Sequence, residues 1–211
     1  MRYLPEVLKR HSGFIAFIDE SLELDPTRSS GQFYIVSAVV LHSSFLKEAN
    51  QALLGLNNGH PIHASELARE KQFSILRAAS DWISENHDFC DIYLTTATSD
   101  SVRSRDELRS SCLSSMFSSI YRDTGVELFI FDSSNTREVD ELDRRLHRDA
   151  IKNGHLSQRS QLFHQWPSEA PLLAMPDIVA WVVRQDFISG NQDWSRKVMD
   201  TSKLVRIVLK T

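Results

Sequence analysis

The chain is expected to fold as an α/β domain, a mixed β-sheet flanked by helices, and three observations carry that expectation. Two apolar runs of strand length, Phe14 to Ile18 and Val126 to Phe131, both lead into an aspartate, Asp19 and Asp132. A third run, Phe89 to Thr98, is rich in the Thr, Ile, Tyr and Leu that suit a pleated surface. Between the runs lie segments with apolar residues at helical spacing and capping residues at their starts.

Taken in order, Ser12 and Gly13 punctuate the entry to the first strand, whose charge-free core reads as buried on both faces. Turn formers at Asp25-Pro26, Ser29-Ser30 and Gly31 lead into a second strand, Phe33 to Leu41, expected antiparallel to the first. Ser43 or Ser44 is the expected cap of a helix with Phe45, Ala49, Ala52, Leu53 and Leu56 on one face, ended by Asn57-Asn58-Gly59. Ser65 is the expected N-cap of a single helix running through Phe73, Leu76, Ala79 and Ile83, with Glu66 in its first turn. Asn86-His87-Asp88 breaks that helix before the third strand. Ser104 and Glu107 form a capping box for a helix with a broad apolar stripe from Leu108 to Tyr121, stopped near Gly125. The strand ending in Asp132 precedes a helix capped by Asn135, with Val139, Leu142, Leu146 and Ala150 inward. Gln161 to Trp166 reads as a last strand or extended segment. Pro176 suits the first turn of a helix, which sets Asp177 near its start. Asn191 to Thr211 fits a strand or a short helix.

With 211 residues, 41% hydrophobic and 25% charged, the chain is expected to form one domain over 1–211. No apolar run reaches the ~18 residues of a membrane span, so no membrane is expected as a partner. The N-terminus lacks a secretory pattern, which makes the cytoplasm the expected compartment. Cys90 and Cys112 are too few for a disulfide framework and read as reduced core residues. A net charge of −4 argues against binding nucleic acid by a global field, though a local basic face is compatible with it.

A carboxylate buried without a partner costs several kcal/mol, so an acid at the tip of a central strand has either an assigned partner, such as a metal ion, or a purely capping role facing water. Phosphate loops, dinucleotide turns, nucleophile elbows and His/Cys zinc pairs are all missing, which removes support for those chemistries. What remains is a set of spaced acids at element ends, Asp19, Glu66, Asp132 and Asp177. Oxygen-only sets suit Mg²⁺ or Mn²⁺, and two such ions ~3.5–4 Å apart serve phosphodiester cleavage. Dipole stabilisation at helix starts is the alternative account of Glu66 and Asp177. Arg144, Arg145 and Arg148 mark a basic helix face, either a solvated face paired with Glu138, Glu141 and Asp149 or a nucleic-acid contact.

The order Phe17-Ile-Asp-Glu-Ser21, Ile62-His-Ala-Ser-Glu-Leu67, Ile130-Phe-Asp132 and Ser168-Glu-Ala-Pro-Leu-Leu-Ala-Met-Pro-Asp-Ile-Val-Ala180 resembles the DUF3800 family of bacterial and phage-associated proteins, a branch similar to the ribonuclease H-like superfamily. The resemblance implies a ribonuclease H-like mixed sheet with helices on both faces. It also implies a Mg²⁺- or Mn²⁺-dependent nuclease acting on RNA or DNA, in phage defence or as a toxin. Asp19 would be the central ligand, with Glu66, Asp132 and Asp177 as the others. Glu20 would be an outer helper, and His63 a proton shuttle or an ordinary partly buried histidine. Leu22 departs from the family's usual Gly, Met175-Pro176 from its usual apolar-Ala, and Thr98-Ser-Asp100 from its basic residue, which makes Asp100 a rival to Asp132. A binding module that kept the fold without the chemistry is the alternative, as is a phosphoesterase for a small nucleotide with a deep closed pocket. A homodimer or a partner protein is left open.

Overall fold

The computed structural model describes residues 4–25, 27, 31–97, 103–133, 136–190 and 193–207. A short helix, α1 (Leu4–Arg10), precedes the strand β1 (Phe14–Glu23), which pairs antiparallel with β2 (Gln32–His42). After α2 (Leu46–Leu56), α3 (Ala64–Arg69) and α4 (Phe73–Glu85), the chain returns as β3 (Phe89–Ala97), antiparallel to β2. The long helix α5 (Arg105–Thr124) crosses back to β4 (Leu128–Asp132), which lies parallel to β1 on its other side. α6 (Arg137–Lys152) then leads to β5 (Gln161–Gln165), parallel to β4. The chain finishes with α7 (Ala174–Ser189), α8 (Arg196–Thr201) and β6 (Lys203–Ile207), the last parallel to β3. The sheet order is β5-β4-β1-β2-β3-β6.

Alternation along the strands divides the core into two layers. Ile15, Phe17, Leu128 and Ile130 face α2, α3, α4 and α7, where Leu53, Leu67, Leu76 and Ile178 are buried against them. Ala16, Ile18, Phe129 and Phe131 face α5 and α6, where Phe117 packs edge-on to Phe129 with ring centroids 5.3 Å apart. Burying one such side chain stabilises the fold by about 1.5–3 kcal/mol, so β1, apolar on both faces, anchors both layers.

Local signals explain most boundaries. Ser104 Oγ accepts from the Glu107 N–H, and Glu107 Oε2 accepts from the Ser104 N–H at 2.9 Å, completing the capping box. Gly125, at φ 71°, closes α5 in the left-handed conformation that glycine adopts without strain. The C-terminal stretch resolves into both of its expected alternatives, a short helix and an edge strand.

Other expectations are corrected. The helix expected to start at Ser65 and run to Ile83 is two helices, broken where Lys71 takes φ 60°. Ser65 lies inside α3; His63 holds the cap position, extended and without a side-chain cap bond. His42 Nδ1, not Ser43 or Ser44, accepts from the Ser44 N–H and starts a turn of 3-10 helix over Ser43–Phe45, so Phe45 precedes α2. Thr136 occupies the cap position of α6 without a side-chain bond, while Asn135, like Asp100, lies outside the described residues. Cys90 and Cys112 are buried and unpaired as expected, and burial pushes both thiols up to about 12.

Candidate active site

Parallel pairing brings the two aspartates together. Ile15 lies opposite Leu128 and Ile18 opposite Phe131, so the next step sets Asp19 beside Asp132, the last residue of β4; β1 runs on to Glu23 against β2, so Asp19, expected at a strand tip, lies mid-strand, where the parallel pairing with β4 stops. Asp19 follows Ile15 and Phe17, and Asp132 follows Leu128 and Ile130, so both belong to the α7 side of the sheet. The carboxyl end of parallel strands is where open α/β sheets place their ligands.

Asp177 reaches the same point from α7. Buried Ser37, opposite Asp19 in the β1–β2 register, donates its hydroxyl to the Pro176 carbonyl at 2.6 Å and holds the first helical turn against the strand. The Ala64 N–H donates to Asp177 Oδ2 at 2.8 Å, which ties the start of α3 to the cluster.

The electrostatics register this convergence. Burial, followed by the charges of Asp177 and Asp132, lifts the Asp19 carboxyl well above its ordinary range, with Arg109 pulling weakly the other way. Burial and the Asp177 charge push Asp132 up to about 6, against His63 and the Ser133 N–H. Burial also raises Asp177, partly offset by the Ala64 N–H and His63, while Glu66 adds to the rise. Among the described residues, none of the three carboxylates has an ion-pair partner within 4.0 Å. Burial disfavours the charge on all three and Asp177 adds to the rise at Asp19 and Asp132, and an oxygen-donor set of this kind suits a hard divalent cation.

On the other face of β1, beside Asp19, lies a buried charge network that sequence reasoning missed. Glu20 points to the α5 layer, where it accepts from the Tyr34 hydroxyl, pairs with Arg109 and accepts from Arg105 Nη2 at 2.5 Å. Arg109, 4% exposed, donates from Nε and Nη2 to the two oxygens of Asp143, both at 2.7 Å, and from Nη1 to Tyr34 Oη at 2.6 Å. His164 Nε2 stands 2.9 Å from Asp143 Oδ2. Burial works against the Asp143 charge, but the Arg109 and His164 hydrogen bonds outweigh it and hold that carboxyl below its ordinary range. Burial pushes the Tyr34 phenol far upward, so it stays protonated and donates. A signal for this network was present: Asp143 and His147 occupy inward positions of α6, four and eight residues after Val139, where apolar side chains are the rule.

A cleft of about 300 Å³, partly open to solvent, lies over the middle of β1 and the end of β4. Asp19, Glu20, Asp132, Arg105 and Arg109 are among its lining. Asp177 is outside that lining yet close enough for its charge to act on Asp19 and Asp132. Glu66 is exposed, with its carboxylate 4.0 Å from Arg69, and acts on Asp177 only through its charge. His63 is half-buried and close enough to influence both Asp132 and Asp177. Among the described residues, no three His, Cys, Asp or Glu side chains are already arranged to hold one metal ion. Arg144, Arg145 and Arg148 lie apart from the acids, in a shallow groove on α6 with Asp106, Glu138 and Glu141. Ion pairs within that helix include Arg137–Glu141 at 2.7 Å and Arg144–Asp140 at 3.8 Å, so part of the basic face is locally neutralised.

The sheet order, with helices on both faces, defines a ribonuclease H-like α/β fold. Among solved structures, the crystal structure of the ribonuclease H2 from Pyrococcus horikoshii OT3 is similar over 84% of this chain and 74% of that chain, with a TM-score of 0.50 and 14% sequence identity. At that identity the fold is what the two share. No family model and no curated protein matches the chain. Among the described residues, no helix is long and apolar enough to cross a membrane.

Proposed function

We propose that the chain is a metal-dependent nuclease that hydrolyses phosphodiester bonds in RNA or DNA by a two-metal mechanism. The observation that carries this reading is the convergence of Asp19, Asp132 and Asp177, three carboxyls raised first by burial, with Asp177 adding to the rise of the other two, and with no cationic partner within 4.0 Å among the described residues. Mg²⁺ is usually held by one or two carboxylates together with substrate phosphates, so a donor set of carboxylate pairs fits the ion without a closed protein cage. When bound, Mg²⁺ or Mn²⁺ supplies the charge that activates a water and steadies the departing oxygen. Asp19, central in the cluster, would bridge the site, and Asp132 and Asp177 would flank it. Glu66 would complete the set by turning away from Arg69. His63, near both Asp132 and Asp177, is suited to passing a proton to solvent. Glu20, engaged by two arginines, would steady β1 beside Asp19 and not ligate.

The open cleft supports a polymeric substrate over a small nucleotide, which calls for a closed pocket. The motif resemblance to DUF3800 supports the same reading and extends it to phage defence or growth inhibition; expression of wild-type and Asp19→Asn chains in a host, with and without phage challenge, tests that extension. The rival binding module is supported by one observation, that Arg105 and Arg109 share the cleft with the acids. Purified wild type and Asp19→Asn incubated with labelled RNA and DNA, in Mn²⁺ and in EDTA, separate the two. Cleavage by the wild type in Mn²⁺ alone is expected. Equal cleavage by both proteins would sink the assignment, and binding without cleavage would favour the module.

A further inference from the structure

The acids that suit a cation also repel the polyanion they would act on, so the cleft needs a positive group to hold the strand. Two arginines of α5, one helical turn apart, line it, and their hydrogen bonding differs. Arg109 is fully engaged: Nε and Nη2 serve Asp143, while Nη1 serves Tyr34 and Glu20. For Arg109 to take a phosphate, a buried carboxylate would have to be left unpaired, which is strongly unfavourable. Arg105 commits Nη2 to Glu20, but its Nε, shielded from solvent, has no hydrogen-bond partner among the described residues. Its side chain is 34% exposed, and if the guanidinium turned to a ligand Glu20 would still keep Arg109 and Tyr34 as partners, so no carboxylate would be left unpaired.

We infer that Arg105 is a phosphate anchor, which grips a backbone phosphodiester next to the one presented to Asp19 and Asp132. The planar guanidinium fork matches two phosphate oxygens. Glu20 and Arg109 give the anchor its place: Arg109, locked to Asp143, fixes Glu20, and Glu20 fixes Arg105 at the α5 rim of the cleft. This separates the work across β1, with the acids on the α7 side and the anchor on the α5 side. A single strand lying over Asp19 of β1 and the carboxyl end of β4 would meet both. The inference rests on the proposed nucleic-acid substrate but not on catalysis.

The test is equilibrium binding of a fluorescent single-stranded oligonucleotide, as RNA and as DNA, in EDTA so that binding is read without cleavage, at several salt concentrations. The wild type is expected to bind with an affinity that falls as salt rises. Arg105→Ala should weaken binding and reduce the slope of log affinity against log salt by about 0.7, the contribution of one phosphate contact on a single strand. Arg105→Lys, which keeps the charge without the fork, should keep the slope while losing part of the affinity. Arg122→Ala, an exposed arginine paired with Asp123, should leave both unchanged. If Arg105→Ala does not fold, Arg105→Gln carries the same expectation. A wild-type slope and affinity in the charge-removing variant, or a wild type that binds neither oligonucleotide, overturns the anchor. Arg105-dependent binding without cleavage in Mn²⁺ leaves the anchor standing and removes the nuclease reading; cleavage with Arg105-independent binding does the reverse.

Discussion

Replacing Asp132 by Asn should stabilise the metal-free protein at neutral and alkaline pH. In the fold the Asp132 carboxyl is raised to about 6 by burial and by Asp177, against an ordinary 3.8. A shift of roughly two units corresponds to about 3 kcal/mol. Asp132 is only partly enclosed, so solvent screening reduces the recoverable amount to about 1 kcal/mol. The sign follows from linkage. Below about pH 4 the group is protonated in both states and costs nothing. Between about 4 and 6 the folded state retains a proton that the unfolded chain releases, and above 6 the folded state carries a charge it disfavours. Wild-type stability contributed by this group is therefore present at low pH and lost as pH rises through about 6. Asn keeps an acceptor for the Ser133 N–H and removes the charge. Urea unfolding in EDTA at pH 4 and pH 8 is the assay. A gain of about 1 kcal/mol at pH 8, or a rise in Tm of ~2–4 °C, with no gain at pH 4 is expected. An equal gain at both pH values, or none at pH 8, would refute the picture of mutually repelling acids. Added Mn²⁺ should narrow the difference by binding the wild type preferentially, with a ligand at a hundred times its Kd contributing about 2.7 kcal/mol.

Three further outcomes follow from the packing. Arg109→Ala should destabilise the fold by about 3–5 kcal/mol, because it strands the buried Asp143 and Glu20 carboxylates, whereas Arg109→Met combined with Asp143→Leu should cost clearly less; denaturant midpoints decide between them. Gly125→Ala forces a side chain into the left-handed region at φ 71° and should lower stability by about 1 kcal/mol, read from the thermal midpoint. Cys90 and Cys112, buried and with thiols pushed up to about 12, should react with a disulfide reagent at pH 8 only at the rate of opening and at once in denaturant; rapid labelling of the native protein would contradict that burial.

Much of this was legible because strands buried on both faces write themselves as charge-free runs. Phe14 to Ile18 and Leu128 to Phe131 read as buried strands, and Asp132 closes β4 as its run suggests, but β1 continues past Asp19 to Glu23 because Glu20 and Ser21 go on pairing with Val36 and Ile35 of β2. That Asp19 and Asp132 share a face depends on parallel pairing and register, which no local pattern encodes. The break at Lys71 was hidden because a left-handed non-glycine residue leaves little trace in composition. Arg109 was hidden for a different reason. Beside Leu108 on an amphipathic helix it reads as a boundary residue, and only the meeting of α5, α6 and β2 turns it into the centre of a buried network. Asp143 and His147 on the inward side of α6 were the available clue.

The most direct test of the carboxylate site is a titration of Mn²⁺ into the purified protein, followed by the electron paramagnetic resonance signal of the free ion, with Asp19→Asn alongside. Wild type should withdraw Mn²⁺ from solution and release it as pH falls and the carboxyls take up protons, while Asp19→Asn should leave it free. Equal uptake by the two proteins, or none by the wild type in the presence of oligonucleotide, would contradict a cation site built on Asp19.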